Sequence, residues 1–197
     1  MLSPLTQEGT LKLIKFTTYD DLELQCEAEI TKVIAPYTHS IHNYMIEAIC
    51  PDWRFFSQTL KTYDTGETTV RGGMAIPARV PFDLQTGINS NNLFNYGNEI
   101  SDPIFTITGP GTGFAIGNSS TDEEFRLDLT LIAGDEVVVD VVERTVLKNG
   151  VLNVFPNFSG DFWRLKAGNN NLRFVIDSGS NVDTNLHIEY RDAYNGI

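Results

Sequence analysis

The sequence predicts a mainly β protein: an antiparallel β-sandwich from residue 70 onward, preceded by a small α+β segment of strand, helix and strand. Three observations carry that reading. Phe125, Leu127, Leu129 and Leu131 alternate with Arg126, Asp128 and Thr130, the period of two expected of a half-buried strand. Near the end of the chain Leu172, Phe174 and Ile176 alternate with Arg173, Val175 and Asp177, and Leu186, Ile188 and Tyr190 alternate with His187, Glu189 and Arg191. Asn149-Gly150 follows a β-rich run and is the strongest short hairpin signal, because both residues tolerate positive φ. Strands this short, with turn signals about every 8–12 residues, favour a sandwich or barrel.

Taken in order, residues 10–17 alternate weakly and read as an edge-type strand. Thr18 with an acid three residues on resembles a capping box, and Leu22, Cys26, Ile30 and Val33 form an apolar stripe at helical spacing. The segment 19–34 is therefore expected to be a helix, with Glu23 near its front, Lys32 near its back and Pro36 stopping it. Ile41 to Ile49 reads as a strand ending at Cys50-Pro51-Asp52. The polar stretch with Gly66 marks a boundary, so the division expected is 1–58, a linker over 59–69, and 70–197. The Asn-rich 87–99 reads as a loop, and Gly109-Pro110-Gly111-Thr112-Gly113 as a turn between strands. Ala133-Gly134-Asp135 turns into the β-branched run Val137 to Val142, which suits a strand covered on both faces. Phe162-Trp163 predicts a short aromatic strand, and Ser178-Gly179-Ser180-Asn181 predicts that the last two long strands pair as a hairpin.

Composition narrows the function. A chain of 197 residues can bury roughly 70% of its unfolded surface and needs no staples. Asp and Glu number 26 against 14 Lys and Arg, with no basic cluster, which argues against a nucleic-acid partner. The sequence has no apolar run of about 20 residues and no secretory signal at Met1–Gly9, so no membrane partner is expected. Cys26 and Cys50 allow at most one bridge; lying in unlike contexts, they are expected as two reduced thiols.

No residue is expected to be catalytic, to bind a cofactor or to ligate a metal. His39 and His42, three apart in a loop entering a strand, point to opposite faces and do not chelate. His187 beside Glu189 is expected as a surface cross-strand partner. Serines are plentiful, but none sits in a strained nucleophile elbow. Asp122-Glu123-Glu124 lacks the glycine-punctuated spacing of a calcium loop and opens a strand instead. Gly109-x-Gly111 is followed by no helix whose dipole could hold a phosphate.

The order of motifs resembles the distal tail proteins of siphophages and Gram-positive prophages. Trp163, Leu165, Gly168 and Asn170, then the terminal Tyr190, Arg191, Asp192, Tyr194, Gly196 and Ile197, look like the end of that family. Ile46 to Asp52 with Phe55-Phe56 is similar to the motif closing its first domain, where the family more often has proline at the position of Trp53. Asn95-Tyr96-Gly97-Asn98, Pro103, Ile107 to Pro110 and Asn118 resemble the start of its C-terminal domain. The resemblance implies a galectin-like sandwich after a ring-forming domain whose first segment this chain lacks. It implies a ring homo-oligomer, hexameric in the intact protein, at the virion tail tip. Its partners would be the tail tube protein, a tail-associated hub or lysin, and a receptor-binding protein or host glycan. Such a protein is assembled in the bacterial cytoplasm and is not an enzyme. Under this reading the interface candidates are Glu23, Glu27, Tyr194, Asn195, Gly196 and Ile197. The alternative function is a carbohydrate-binding module contacting cell-wall glycans through Trp53, Trp163 and the Tyr/Phe set; a glycoside hydrolase is motivated only by acids on a β scaffold.

Overall fold

A computed structural model describes residues 11–34, 45–66 and 91–196. Pro36, His39, His42, Ile41 and Ile197 lie outside the described residues, as do residues 70–90 of the expected sandwich. The described chain is mainly β and its sheets are antiparallel. The first strands are β1 (Lys12–Thr17), β2 (Glu23–Ile34), β3 (Met45–Ile49), β4 (Phe55–Ser57) and β5 (Lys61–Thr65). After them come β6 (Asn91–Asn95), β7 (Ile104–Thr108), β8 (Gly111–Asn118), β9 (Glu123–Leu131), β10 (Glu136–Asp140) and β11 (Thr145–Lys148). The last are β12 (Leu152–Asn153), β13 (Phe158–Gly160), β14 (Gly168–Ser178), β15 (Asn185–Tyr190) and β16 (Ala193–Tyr194).

They form three sheets. An N-terminal sheet runs β1-β2-β4-β16, with β3 also paired to β2. A six-stranded sheet has the order β12-β11-β10-β7-β15-β5, and a further five-stranded sheet the order β13-β9-β8-β14-β6. The latter two share one apolar core. Phe105, Ile107, Val137, Val139, Leu186 and Ile188 enter it from the six-stranded sheet; Phe114, Ile116, Phe125, Leu127, Phe174 and Ile176 enter it from the other. Full burial of one such side chain is worth about 1.5–3 kcal/mol. Trp163 lies between the layers, its ring 4.7 Å from Phe105, and its Nε1 donates to the Ile116 carbonyl at 3.0 Å. That bond removes the cost of burying the indole N–H.

The alternation of β9 is as expected, with Phe125, Leu127 and Leu131 buried. Asn149 and Gly150 take φ of 51° and 70° between β11 and β12, which pair back as the dipeptide predicts. Val137 and Val139 are buried in β10, but Val142 lies past the strand and is exposed.

Other expectations are corrected. The helix over 19–34 does not form; the segment is β2, and no α-helix occurs among the described residues. The physical reason is a second period in the same residues. Leu22, Leu24, Cys26, Ala28 and Ile30 also alternate with Glu23, Gln25, Glu27 and Glu29; with the segment extended beside β1, Leu24, Cys26 and Ala28 are buried and Leu22 and Ile30 half-buried, while Glu23 and Glu27 are exposed. A register shift between Ile30 and Lys32 then breaks the alternation. Thr18 closes a hairpin instead of capping a helix: its Oγ1 accepts from Leu22 N at 3.1 Å, and Asp21 takes φ of 59°. The predicted hairpin of the last two long strands is absent as well. β14 pairs with β6 and β8, whereas β15 pairs with β5 and β7 in the opposite layer. Period two fixes which face is buried, not which strand is the neighbour.

Within the expected linker, Lys61, Tyr63 and Thr65 are half-buried and alternate with exposed Thr62 and Asp64, as β5 on the edge of the six-stranded sheet. Within the expected loop, β6 buries Leu93 and Asn95 against β14. Trp163 follows β13 without itself lying in a strand.

Candidate functional site

The chain's last residues bind the N-terminal sheet to the two-layered core. β15 leaves the six-stranded sheet at Tyr190, and after two connecting residues β16 pairs with β4, Ala193 opposite Phe56 and Tyr194 opposite Phe55. Arg191 and Asp192 make the crossing. The Arg191 guanidinium donates to the carbonyl of Ser57 at 3.0 Å and to that of Gln58. Asp192 is buried, and its carboxylate accepts from Tyr96 N at 2.9 Å and from Lys61 Nζ at 2.7 Å. The Lys61 ammonium also lies 4.1 Å from the Tyr96 ring centroid. Burial, then the nearby Asp192 charge, raises the hydroxyl pKa of both Tyr190 and Tyr194, so both stay protonated at neutral pH.

The segment after β6 receives this strap. Asn95 is fully buried; its Oδ1 accepts from Gly97 N at 3.0 Å and from Ala193 N at 3.3 Å, and its Nδ2 donates to Glu99 O at 2.7 Å. Gly97 passes so close that a Cβ there would stand 1.8 Å from the Ala193 carbonyl oxygen. Asn98 and Asn195 exchange bonds, with Asn195 N donating at 2.7 Å and Asn98 Nδ2 at 3.0 Å.

A second anchor lies beside the first. Arg54 donates to both oxygens of Asp52, at 3.0 and 2.7 Å, and to Ile100 O at 3.0 Å. Its NH2 also stands 2.7 Å from the buried Asp102, which Arg164 Nε approaches at 2.9 Å without hydrogen-bond alignment. Burial pushes the Asp52 carboxyl up, but its hydrogen bonds from Arg54 outweigh this and hold it below its ordinary pKa. The two anchors border an open groove of about 450 Å³, lined by Glu27, Arg54, Phe56, Asp102, Val142 and Arg191.

Of the predicted interface residues, Glu23 and Glu27 are exposed on one face of β2, because a spacing of four keeps one face on a strand as on a helix. Tyr194 is half-buried in β16; Asn195 and Gly196 are exposed beyond it. These positions therefore fall on two strands of one sheet, separated by β4, and on the sheet's end, with Tyr194 and Asn195 already engaged by Phe55 and Asn98. Sequence reasoning missed Lys61, Arg54 and Asp102. An Asp-x-Arg spacing at Asp52 and Arg54 was the one local sign of an ion pair.

The groups considered for chemistry are dispersed. Asp122 sits in a turn with φ of 59°, Glu124 pairs with Arg173, and no group of three or more His, Cys, Asp or Glu among the described residues could hold a metal ion. His187 faces Asp64 across the strands, its Nδ1 2.8 Å from Asp64 Oδ1.

The fold and this junction define a mainly β protein that uses the strand Ala193–Tyr194 to tie a peripheral sheet to a two-layered core. The chain belongs to the siphovirus-type tail component family: the family model for the C-terminal domain matches residues 96–194, half of the chain. Tyr96 and Asp192, which bond one another, both fall inside the match. No curated protein matches the chain.

Proposed function

We propose that this tail component is a non-catalytic connector at the tip of the virion tail. In this reading residues 70–197 form a galectin-like sandwich, residues 1–58 belong to a ring-forming domain, and the ring joins the tail tube to the adsorption apparatus. The observation that carries it is the family match over 96–194. The junction adds a physical argument. A connector must transmit load between its parts, and here two ion-paired anchors and a shared strand pair make the link. The ring contact is assigned to the outward face of β2 with Glu23 and Glu27, and to the end of the chain at Tyr194, Asn195, Gly196 and Ile197. Exposed Leu13, across from Glu27, gives that face an apolar component.

Electron microscopy and light scattering of the purified protein test this. Closed rings with a central hole are expected. A strict monomer at high concentration, with no assembly when tail tube protein is added, overturns it. The carbohydrate-binding alternative loses one of its main aromatics, since Trp163 is 1% exposed and tied to Ile116.

A further inference from the structure

We infer that Cys26 and Cys50 form a latent disulfide that closes when the protein meets a thiol oxidant. The two residues are twenty-four positions apart in sequence, yet their Sγ atoms are 3.7 Å apart, about van der Waals contact. Strand pairing brings them there. β3 runs antiparallel to β2, with Ala48 opposite Ile30 and Ile49 opposite Glu29. As the chain leaves β3 it therefore approaches the half of β2 that holds Cys26. Both thiols are free. From contact distance, a bond of about 2.05 Å requires side-chain rotation and a small backbone shift, not refolding.

Their surroundings assign an order of attack. Cys26 is buried, whereas Cys50 is partly exposed. Burial, then the hydrogen bond and charge of Cys50, pushes the Cys26 thiol up to about 11. Cys50 is thus the sulfur that a soluble disulfide reaches. Its thiolate attacks one sulfur of oxidised glutathione; a Cys50–glutathione bond forms, and one glutathione thiolate leaves and takes up a proton. Cys26 then releases its proton to solvent and attacks Cys50 Sγ, expelling the second glutathione. Two electrons pass from the cysteines to the oxidant, and two glutathione thiols result. The high pKa of Cys26 makes this second step slow at neutral pH and faster as pH rises.

The bond would fasten β2 to the connector that carries Asp52 and Arg54, and so reinforce the junction from the N-terminal side. A reducing cytoplasm keeps it open and an oxidising exterior lets it close; that timing rests on the virion reading, whereas the chemistry does not.

The test uses the full reduced chain incubated with oxidised glutathione, followed by alkylation and peptide mass spectrometry. Free thiols should fall from two to none, the Cys26 and Cys50 peptides should be linked within one chain, and Tm should rise and return on reduction. Cys26→Ser should stop at the Cys50–glutathione adduct. Cys50→Ser should leave Cys26 unreacted until the protein is denatured. A wild-type product that stays glutathionylated, forms linked dimers or keeps both thiols overturns the inference. A protein that stays monomeric even with tail tube protein added, and nevertheless closes the bond, would sink the ring proposal and leave this one standing.

Discussion

The N-terminal sheet and the two-layered core are built from the same alternation, but only in the core do two sheets bury their apolar faces against each other. In the core, inward residues of two sheets meet, and Phe105, Phe114, Phe125, Phe174 and Trp163 are all buried. In the N-terminal sheet Leu24, Cys26 and Ala28 are buried, while Leu13, Ile46 and Ile49, and Trp53 in the connection from β3 to β4, stay largely exposed. Stability in the core comes from apolar area between layers; in the peripheral sheet more of it must come from the anchors at Arg54 and Asp192. A sheet held mainly by its edge is free to offer its outer face to neighbours.

The largest test of that contrast is a matched pair of truncations. Phe105→Ala removes a ring that touches both Phe125 and Trp163 and should cost about 3–5 kcal/mol in chemical denaturation. Leu13→Ala, on the exposed face, should stay within about 0.5 kcal/mol. Equal losses would mean that the outer face of β1 is covered in solution, as a neighbouring copy in the proposed ring would cover it.

Next in size is Gly97→Ala. The new methyl group meets the backbone of Ala193, which cannot rotate away, so the strap must move at a cost of about 1–3 kcal/mol. Amide exchange should quicken in β4 and β16 and remain slow in β8, β9 and β14. Uniform acceleration would show that the junction and the core open together.

Asp192→Asn asks the same question through charge. It keeps the volume but removes the buried partner of Lys61, and should cost about 2 kcal/mol. The loss should again be confined to the N-terminal sheet. Stability unchanged by this substitution would leave the Ser57 and Gln58 contacts of Arg191 as the working anchor.

The core was legible in the sequence because its alternation is unmixed: every second residue from Phe125 to Leu131 is apolar, and Asn149-Gly150 admits few conformations other than a tight turn. The peripheral sheet was not. Leu22, Cys26 and Ile30 satisfy a spacing of four, which is also twice a spacing of two, and only Leu24 and Ala28 between them separate strand from helix. The pairing of β14 and β15 with different layers was hidden for another reason. A turn-rich connection looks alike whether it closes a hairpin or crosses an edge. Arg191 and Asp192 stood out as a motif, but Lys61 is 131 residues from Asp192, and no local pattern links them.

The smallest effect, and the one that isolates the edge of the core, is a pH dependence at β5. His187 pairs with Asp64 in register, and Glu189 lies 3.6 Å from its other ring nitrogen. The Asp64 hydrogen bond, opposed by modest burial and aided by the Asp64 charge and Glu189, raises the His187 pKa above its ordinary 6.5; the same bond lowers that of Asp64 below 3.8. For a raised imidazole, the stabilisation is fully present below pH 6.5 and is lost as pH climbs through the folded value; for the depressed carboxylate, it is present above pH 3.8 and lost as pH falls. The pair therefore holds β5 most firmly between those limits. Because both side chains reach solvent, the gain should be under about 1 kcal/mol and should shrink in high salt. An imidazole titration followed by NMR should place His187 above 6.5 in the wild type and lower in Asp64→Asn, with exchange protection at β5, relative to the intrinsic amide rate, lower at pH 8 than at pH 5.5. An unchanged titration in the variant would assign the raised value to Glu189 and leave β5 held by backbone pairing, Tyr63 and the Lys61–Asp192 pair.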